Sequence, residues 1–232
     1  MIVGVFGAQA SEAKPIDTNA ALFNNPPKWL KRNRAEKVIG RIQTKLEWTI
    51  RKINITFYTD QKAFEKVHGY GSVVRAVTLL QDQSVHLGPR VNNENFDGVL
   101  GHELVHVIFK QKYSGAIPKW LEEGLANHIA GKGKPQYQYV ASRPFPKDVR
   151  DLVHPLKGTN EDIHYAYAAS RVLIDMVAKK CDLENLLRLS VERKMENYIA
   201  TYCEIKDLNQ AFQDWVNKKT KNTNGIKKSK KN

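Results

Sequence analysis

Val99-Leu100-Gly101-His102-Glu103-Leu104-Val105-His106-Val107-Ile108-Phe109 is the stretch on which the reading of this chain turns. With His102, Glu103 and His106 set aside it is apolar nearly all round, which predicts a buried helix. Two imidazoles and a carboxylate in the middle of such a helix are costly to bury without partners. The i, i+4 spacing puts both imidazoles on one helix face, one turn apart, where they can share a single metal ion. Glu103 then lies beside the ion rather than on it, suitably placed to take a proton from water. Chance alone supplies H-E-x-x-H in about one chain per hundred of this length. The buried helical setting adds specificity that the motif itself lacks.

A catalytic zinc site needs a third protein ligand and keeps one position for water. Ile117-Pro118-Lys119-Trp120-Leu121-Glu122-Glu123-Gly124-Leu125-Ala126 offers two adjacent carboxylates on a second helix, with Pro118 near its first turn. Glu123 shares its face with Ala126, Asn127 and Ala130, which are small or polar and allow close approach to another helix. Glu122 shares a greasier face with Leu125, Ala126 and Ile129. The face favours Glu123 and leaves Glu122 in contention. A set of two histidines and one glutamate favours zinc among divalent ions, one per chain. Asn127, one turn after Glu123, is a candidate for orienting a ligand histidine.

Outward from these helices the chain divides into strands first and helices afterwards. Pro26-Pro27 closes an irregular lead over residues 11–27. Between Lys28 and Lys52, Leu30, Val38, Ile39, Ile42 and Leu46 recur at helical spacing, with basic residues mostly elsewhere. Lys52 to Tyr58 alternates Ile53, Ile55 and Phe57 on one side, the pattern of a half-buried strand. Asp60 caps a short helix to about Val67, stopped by His68-Gly69-Tyr70-Gly71. Val73 to Leu80 and Ser84 to Leu87 read as further strands. After Asn92 the chain reads as successive helices, including Asp162 to Lys179, preceded by a Lys157-Gly158 turn and a Thr159/Asp162 capping pair. The order predicts an α+β fold, with one domain over residues 28–217 and no internal repeats.

Charge is the other conspicuous property: 37 Lys+Arg against 24 Asp+Glu give +13. Residues 218–232 (KKTKNTNGIKKSKKN) hold seven lysines and no acid, and predict a disordered tail. The Lys28–Lys52 stretch holds nine basic residues and two acids, so the remainder is close to neutral. Such basicity suggests an anionic surface, such as an envelope polymer reached through the tail, but no motif for specific nucleic-acid binding is present. No run approaches the ~18 apolar residues that span a bilayer. Residues 1–10, an apolar run ending in Ala8-Gln9-Ala10, resemble a truncated signal peptide and point to an extracytoplasmic (periplasmic or secreted) protein. Cys181 and Cys203 either form the sole disulfide available or stay as two thiols. His68, His86 and His128 read as surface or hydrogen-bonded residues. His154 and His164 lie on the approach to Tyr167, close enough in sequence to touch a substrate.

HELVH, followed after 16 intervening residues by Glu123 within WLEEGLA, resembles the gluzincin zinc metallopeptidases. It is most similar to peptidase MA-like domains and to the catalytic core of the M1 aminopeptidases. The resemblance covers roughly Ser84 to Lys180, more loosely to Trp215. It implies a zincin (thermolysin-like) fold, a small mixed sheet with an edge strand over a mainly helical lower half. It selects Glu123 over Glu122 as the third zinc ligand, beside His102 and His106, with Glu103 as general base. Tyr167-Ala168-Ala169-Ser170 matches the family's Y-x-x-[GS], implying Tyr167 as oxyanion donor, with Tyr165 its competitor. It also implies an extended peptide or protein substrate paired to a sheet edge, for which the strand at Val85 to Gly88 is the candidate. Two departures stand out: the spacing to the third ligand is a little short, and the G-x-M-E-N exopeptidase motif is missing upstream of His102. An endopeptidase is therefore expected rather than an aminopeptidase. The competing readings are an inactive zincin-fold module that keeps its metal and a basic protein binding an anionic envelope polymer.

Overall fold

The computed structural model describes residues 13–152, 158–191 and 193–229. The signal-like residues 1–10, His154, Lys157 and the last three residues of the tail lie outside them. A five-stranded mixed sheet packs on one side of a helical body. Its strands are β1 (Ile16–Asp17), β2 (Ala21–Asn24), β3 (Ile53–Phe57), β4 (Ala76–Leu79) and β5 (Ser84–Leu87), in the spatial order β1-β2-β3-β5-β4. β3 runs parallel to β2 and β5, with Ile55 opposite Phe23 and Val85, while β1 and β4 are antiparallel edges. Ile53, Ile55 and Phe57 are buried as their alternation requires.

Two sequence expectations change here. Residues 11–27, expected as irregular, contribute β1 and β2 to the sheet. Such short strands carry too few residues for a periodic signal, and their place is decided by pairing with β3. The strand at Val85 to Gly88, expected as the sheet edge, is interior, flanked by β3 and β4. The edge is β4, every residue of which is only partly buried. The hairpin that joins β4 to β5 folds β4 onto the outside, a pairing decision that local patterning cannot reveal.

The helices follow from their caps and faces. α1 (Arg32–Leu46) buries Ala35, Val38, Ile39, Ile42 and Leu46. α2 (Gln61–His68) starts where the Asp60 side chain accepts from the Ala63 N–H at 2.7 Å, and ends at Gly69 with φ +72°. α3 (Phe96–Ile108) is buried on nearly every side and is prolonged by a π-helical turn, Phe109–Tyr113. That turn brings Gln111 inward, where it bridges Trp48, Arg51 and Gln83. α4 (Lys119–Ala130) follows, then α5 (Tyr137–Ala141) and α6 (Asn160–Lys180), the last begun by a Thr159/Asp162 capping box. α7 (Leu183–Leu189), α8 (Met195–Thr201) and α9 (Leu208–Ser229) complete the chain.

α9 runs through Lys218 into the segment expected to be a disordered tail. Its start is anchored by Leu208, Phe212 and Val216, all buried, and Thr220 Oγ1 donates back to the Val216 carbonyl at 3.1 Å. Helix propagation from an anchored start costs little for lysine, a good helix former. Cys181 and Cys203 are joined in a disulfide that ties the end of α6 to the segment after α8. No helix among the described residues is long and apolar enough to cross a membrane.

The basic face of α1 is largely engaged inside the protein. Arg41 Nη1 donates to the Ala130 carbonyl at 2.8 Å, and Lys45 Nζ to the Ile129 carbonyl at 2.8 Å. Both carbonyls belong to the last turn of α4, which has no intrahelical donors for them and carries the negative end of the helix dipole. Arg34 pairs with Asp97 at 2.8 Å at the start of α3. α1 therefore clamps the end of α4 and the beginning of α3, the two helices that carry the sequence motifs.

Candidate metal centre and cavity

α3 and α4 lie against one another, and α4 in turn packs against α6. Gly124 is required at the second contact: a Cβ there would fall 2.3 Å from the Ser170 carbonyl oxygen, so only glycine lets α6 approach. The approach matters because Glu123 precedes Gly124 and Tyr167 precedes Ser170 by one turn. The helix–helix contact sets the one beside the other.

His102, His106 and Glu123 converge. His102 Nε2 and His106 Nε2 are 3.2 Å apart, and they lie 3.3 Å and 3.5 Å from the two Glu123 carboxylate oxygens. Ligand atoms ~2.0–2.1 Å from a tetrahedral zinc ion are separated by ~3.3–3.4 Å. The two imidazole nitrogens are close to that spacing, and each has one Glu123 oxygen at a similar distance. Burial pushes the His106 imidazole below its ordinary range against the raising effect of Glu123, which favours the neutral form that ligates. His102 and Glu123 are buried, and His106 is nearly so. This cluster could hold a metal ion, and the residues fit one by donor type and spacing.

A cavity of about 650 Å³ opens over the cluster. α3 and α4 form its floor, β4 with the residues before it forms one wall, and α6 forms the other. Glu103 lines it without joining the ligand cluster. Its Oε2 accepts from Thr78 Oγ1 at 2.8 Å, which also reaches the Glu103 carbonyl at 3.2 Å. Thr78 belongs to β4, so the edge strand itself holds the glutamate in place. Tyr167 lines the cavity too, and burial, reinforced by the Glu123 and Glu103 charges, pushes its phenol far above the ordinary range. It keeps its proton and remains a donor.

The competing residues are placed elsewhere. Tyr165 O–H donates to the Pro144 carbonyl at 3.0 Å, away from the cavity. Glu122 reaches the cavity rim, where Lys119 Nζ binds it at 3.0 Å, and it is not part of the ligand cluster. Asn127 lines the cavity, but its side chain hydrogen-bonds neither histidine among the described residues, and His102 Nδ1 has no partner. The orienting role expected for Asn127 is thus not realised, since its position on α4 serves the lining instead. His68 and His86 are hydrogen-bonded to Tyr70 and to Tyr58 with Ser84, respectively. Those two and His128 lie outside the cavity lining, whereas His164 lines it and packs against Tyr139.

Among the lining residues not singled out from sequence are Thr78, Lys132 and Arg171. Arg171 stands four residues after Tyr167 and so shares its helix face, a signal available in the sequence. Lys132 follows the end of α4 and is drawn inward; burial pushes its ammonium down, opposed by the charges of Glu103 and Glu123. No periodicity marks either Lys132 or Thr78. No family model, no curated protein and no solved structure matches the chain.

Proposed function

We propose that this chain is a zinc-dependent metallopeptidase with a thermolysin-like zincin fold, cleaving within peptides rather than from a free amino terminus. The observation that carries the reading is the convergence, in one cavity beside an open strand edge, of His102, His106, Glu123, Glu103 and Tyr167. His102, His106 and Glu123 would hold the zinc ion. When bound, zinc supplies Lewis acidity, making water a nucleophile near neutral pH and polarising a carbonyl.

The protein's own groups account for the remaining requirements. Glu103, held by Thr78, accepts the proton of the attacking water and returns it to the leaving amine nitrogen. Tyr167 donates a hydrogen bond to the oxygen that gains negative charge, a contribution of about 3 kcal/mol for donors of this kind. β4 offers its outer edge to an extended substrate, whose backbone can pair with it as an additional strand. That pairing places a peptide bond across the cavity while α3 presents Glu103 from below. The Cys181–Cys203 disulfide accords with an oxidising, extracytoplasmic location.

Metal analysis of the purified full-length chain together with an unbiased peptide-cleavage profile tests the proposal. It requires about one zinc per chain and internal cleavage abolished by a chelator. Full zinc occupancy with no cleavage across a broad library would contradict it and favour a metal-bearing binding module.

A further inference from the structure

Arg171 is a cavity charge that the fold leaves unexplained. It stands one turn after Tyr167 on α6, and both side chains line the cavity. Its Nε and Nη1 are buried without an acceptor, and Nη2 donates no hydrogen bond among the described residues. Asp175 is near enough for its charge to be felt, but its carboxylate takes the Tyr137 hydroxyl at 2.5 Å. Buried guanidinium N–H groups nearly always find acceptors, because leaving one unmet forfeits hydration with nothing in return. Nη2 is the nitrogen not so enclosed, and an acceptor for it would come through the cavity.

Its surroundings say which kind. Arg171 and Lys132 both line the cavity, Lys132 just after the end of α4. Lys132 makes no hydrogen bond or ion pair among the described residues. Lys119 is occupied by Glu122, while Arg75, Lys132, Lys134 and Arg171 line the same cavity as the carboxylates Glu103 and Glu123. A divalent ion in the cluster tilts this balance further. Low-dielectric walls focus such a field and raise the local concentration of anions.

We propose that this end of the cavity is a carboxylate-binding subsite, where Arg171, assisted by Lys132, holds a carboxylate of the peptide substrate. The carboxylate belongs to an acidic side chain or to a free C-terminus. A charge-assisted hydrogen bond from the guanidinium Nη2 suits a carboxylate oxygen. The inference takes its substrate class from the proposed peptidase, but carboxylate binding does not depend on turnover.

The test uses four versions of one hexapeptide, with Glu or Gln at one position and a free or amidated C-terminus. Their affinities are measured on zinc-loaded, full-length Glu103→Gln protein, in which cleavage is suppressed. At least one carboxylate should tighten binding by ~10-fold or more over the Gln, amidated peptide. The arm that keeps the advantage identifies the source. Adding Arg171→Met should abolish the advantage, and adding Lys132→Met should reduce it. Equal affinity for all four peptides overturns the proposal, and this comparison needs no Arg171 variant, so misfolding cannot spare it. An advantage that survives in folded Arg171→Met also overturns it. Carboxylate preference without turnover by the wild-type chain keeps the subsite and removes the peptidase; turnover without the preference does the reverse.

Discussion

α1 and α3 lie side by side and both carry ionisable residues among apolar ones, yet they use them in opposite ways. On α1 the cations reach outward to other elements: Arg41 and Lys45 bind the terminal carbonyls of α4, and Arg34 binds the start of α3. On α3 the polar side chains are enclosed, and His102 and His106 converge on Glu123 of α4. Three of α1's five cations form a clamp, two of them on α4 and one on α3. The modest charge of α3 is concentrated where burial makes each group chemically potent. Net charge along a sequence thus says less about function than the dielectric in which each charge is placed.

This contrast can be broken at several points. The largest effect should come from α3: His106→Gln removes one of the three proposed ligands and should weaken zinc binding by more than the ~10–100-fold typical of changes outside the ligand shell. A competition titration against a chromogenic chelator measures it, and unchanged affinity would mean that the cluster is not a metal site. Next comes the clamp. Arg41→Met should cost about 2 kcal/mol in urea unfolding, through the unmet carbonyls of Asp97 and Ala130, while zinc stoichiometry stays at one. Loss of metal without loss of stability would invert the roles assigned to the two helices.

Acidification should sharpen the comparison further. Burial is the principal cause that lowers the pKa of His68, His86, His106 and His128 in the folded protein. A histidine with a depressed folded pKa contributes its full stability above the unfolded value near 6.5. That contribution is lost as pH falls from there through the folded pKa, because the unfolded chain binds protons first. The melting temperature of metal-free protein should therefore drop between pH 7 and 5; a rise over that interval would contradict the assignment. The smallest effect is expected at Lys37, an exposed cation of α1 with no hydrogen bond or ion pair among the described residues. Lys37→Gln should change unfolding free energy by less than ~0.5 kcal/mol, and a larger loss would show that the outer face of α1 has a structural partner.

The parts of this molecule legible in its sequence are those with local causes. The buried helix around HELVH, the Asp60 cap, the Thr159/Asp162 box and the alternation of β3 each reside in a few neighbouring residues, and each is present. The face argument that preferred Glu123 also holds geometrically, because Ala130 on that face closely approaches Gly101 of α3 and Glu123 meets His102 and His106 there. What stayed hidden depends on distant pairings. β1 and β2 exist because β3 is beside them, and β4 rather than β5 forms the edge because of the order in which strands dock. Thr78 meets Glu103 across 25 positions of chain, and the acceptors that α4 offers Arg41 and Lys45 lie more than 80 positions away. Such partners have no signature until the fold brings them together.

The central claim is a division of labour among four groups on two helices: His102 and His106 hold metal with Glu123, whereas Glu103 moves protons. The most direct measurement compares zinc content and peptide turnover in Glu103→Gln and Glu123→Gln proteins. Glu103→Gln should retain about one zinc per chain while turnover falls by ~10²–10⁴-fold, and Glu123→Gln should lose both. A Glu103→Gln protein that still cleaves peptides, or that releases its zinc as Glu123→Gln does, would contradict the account.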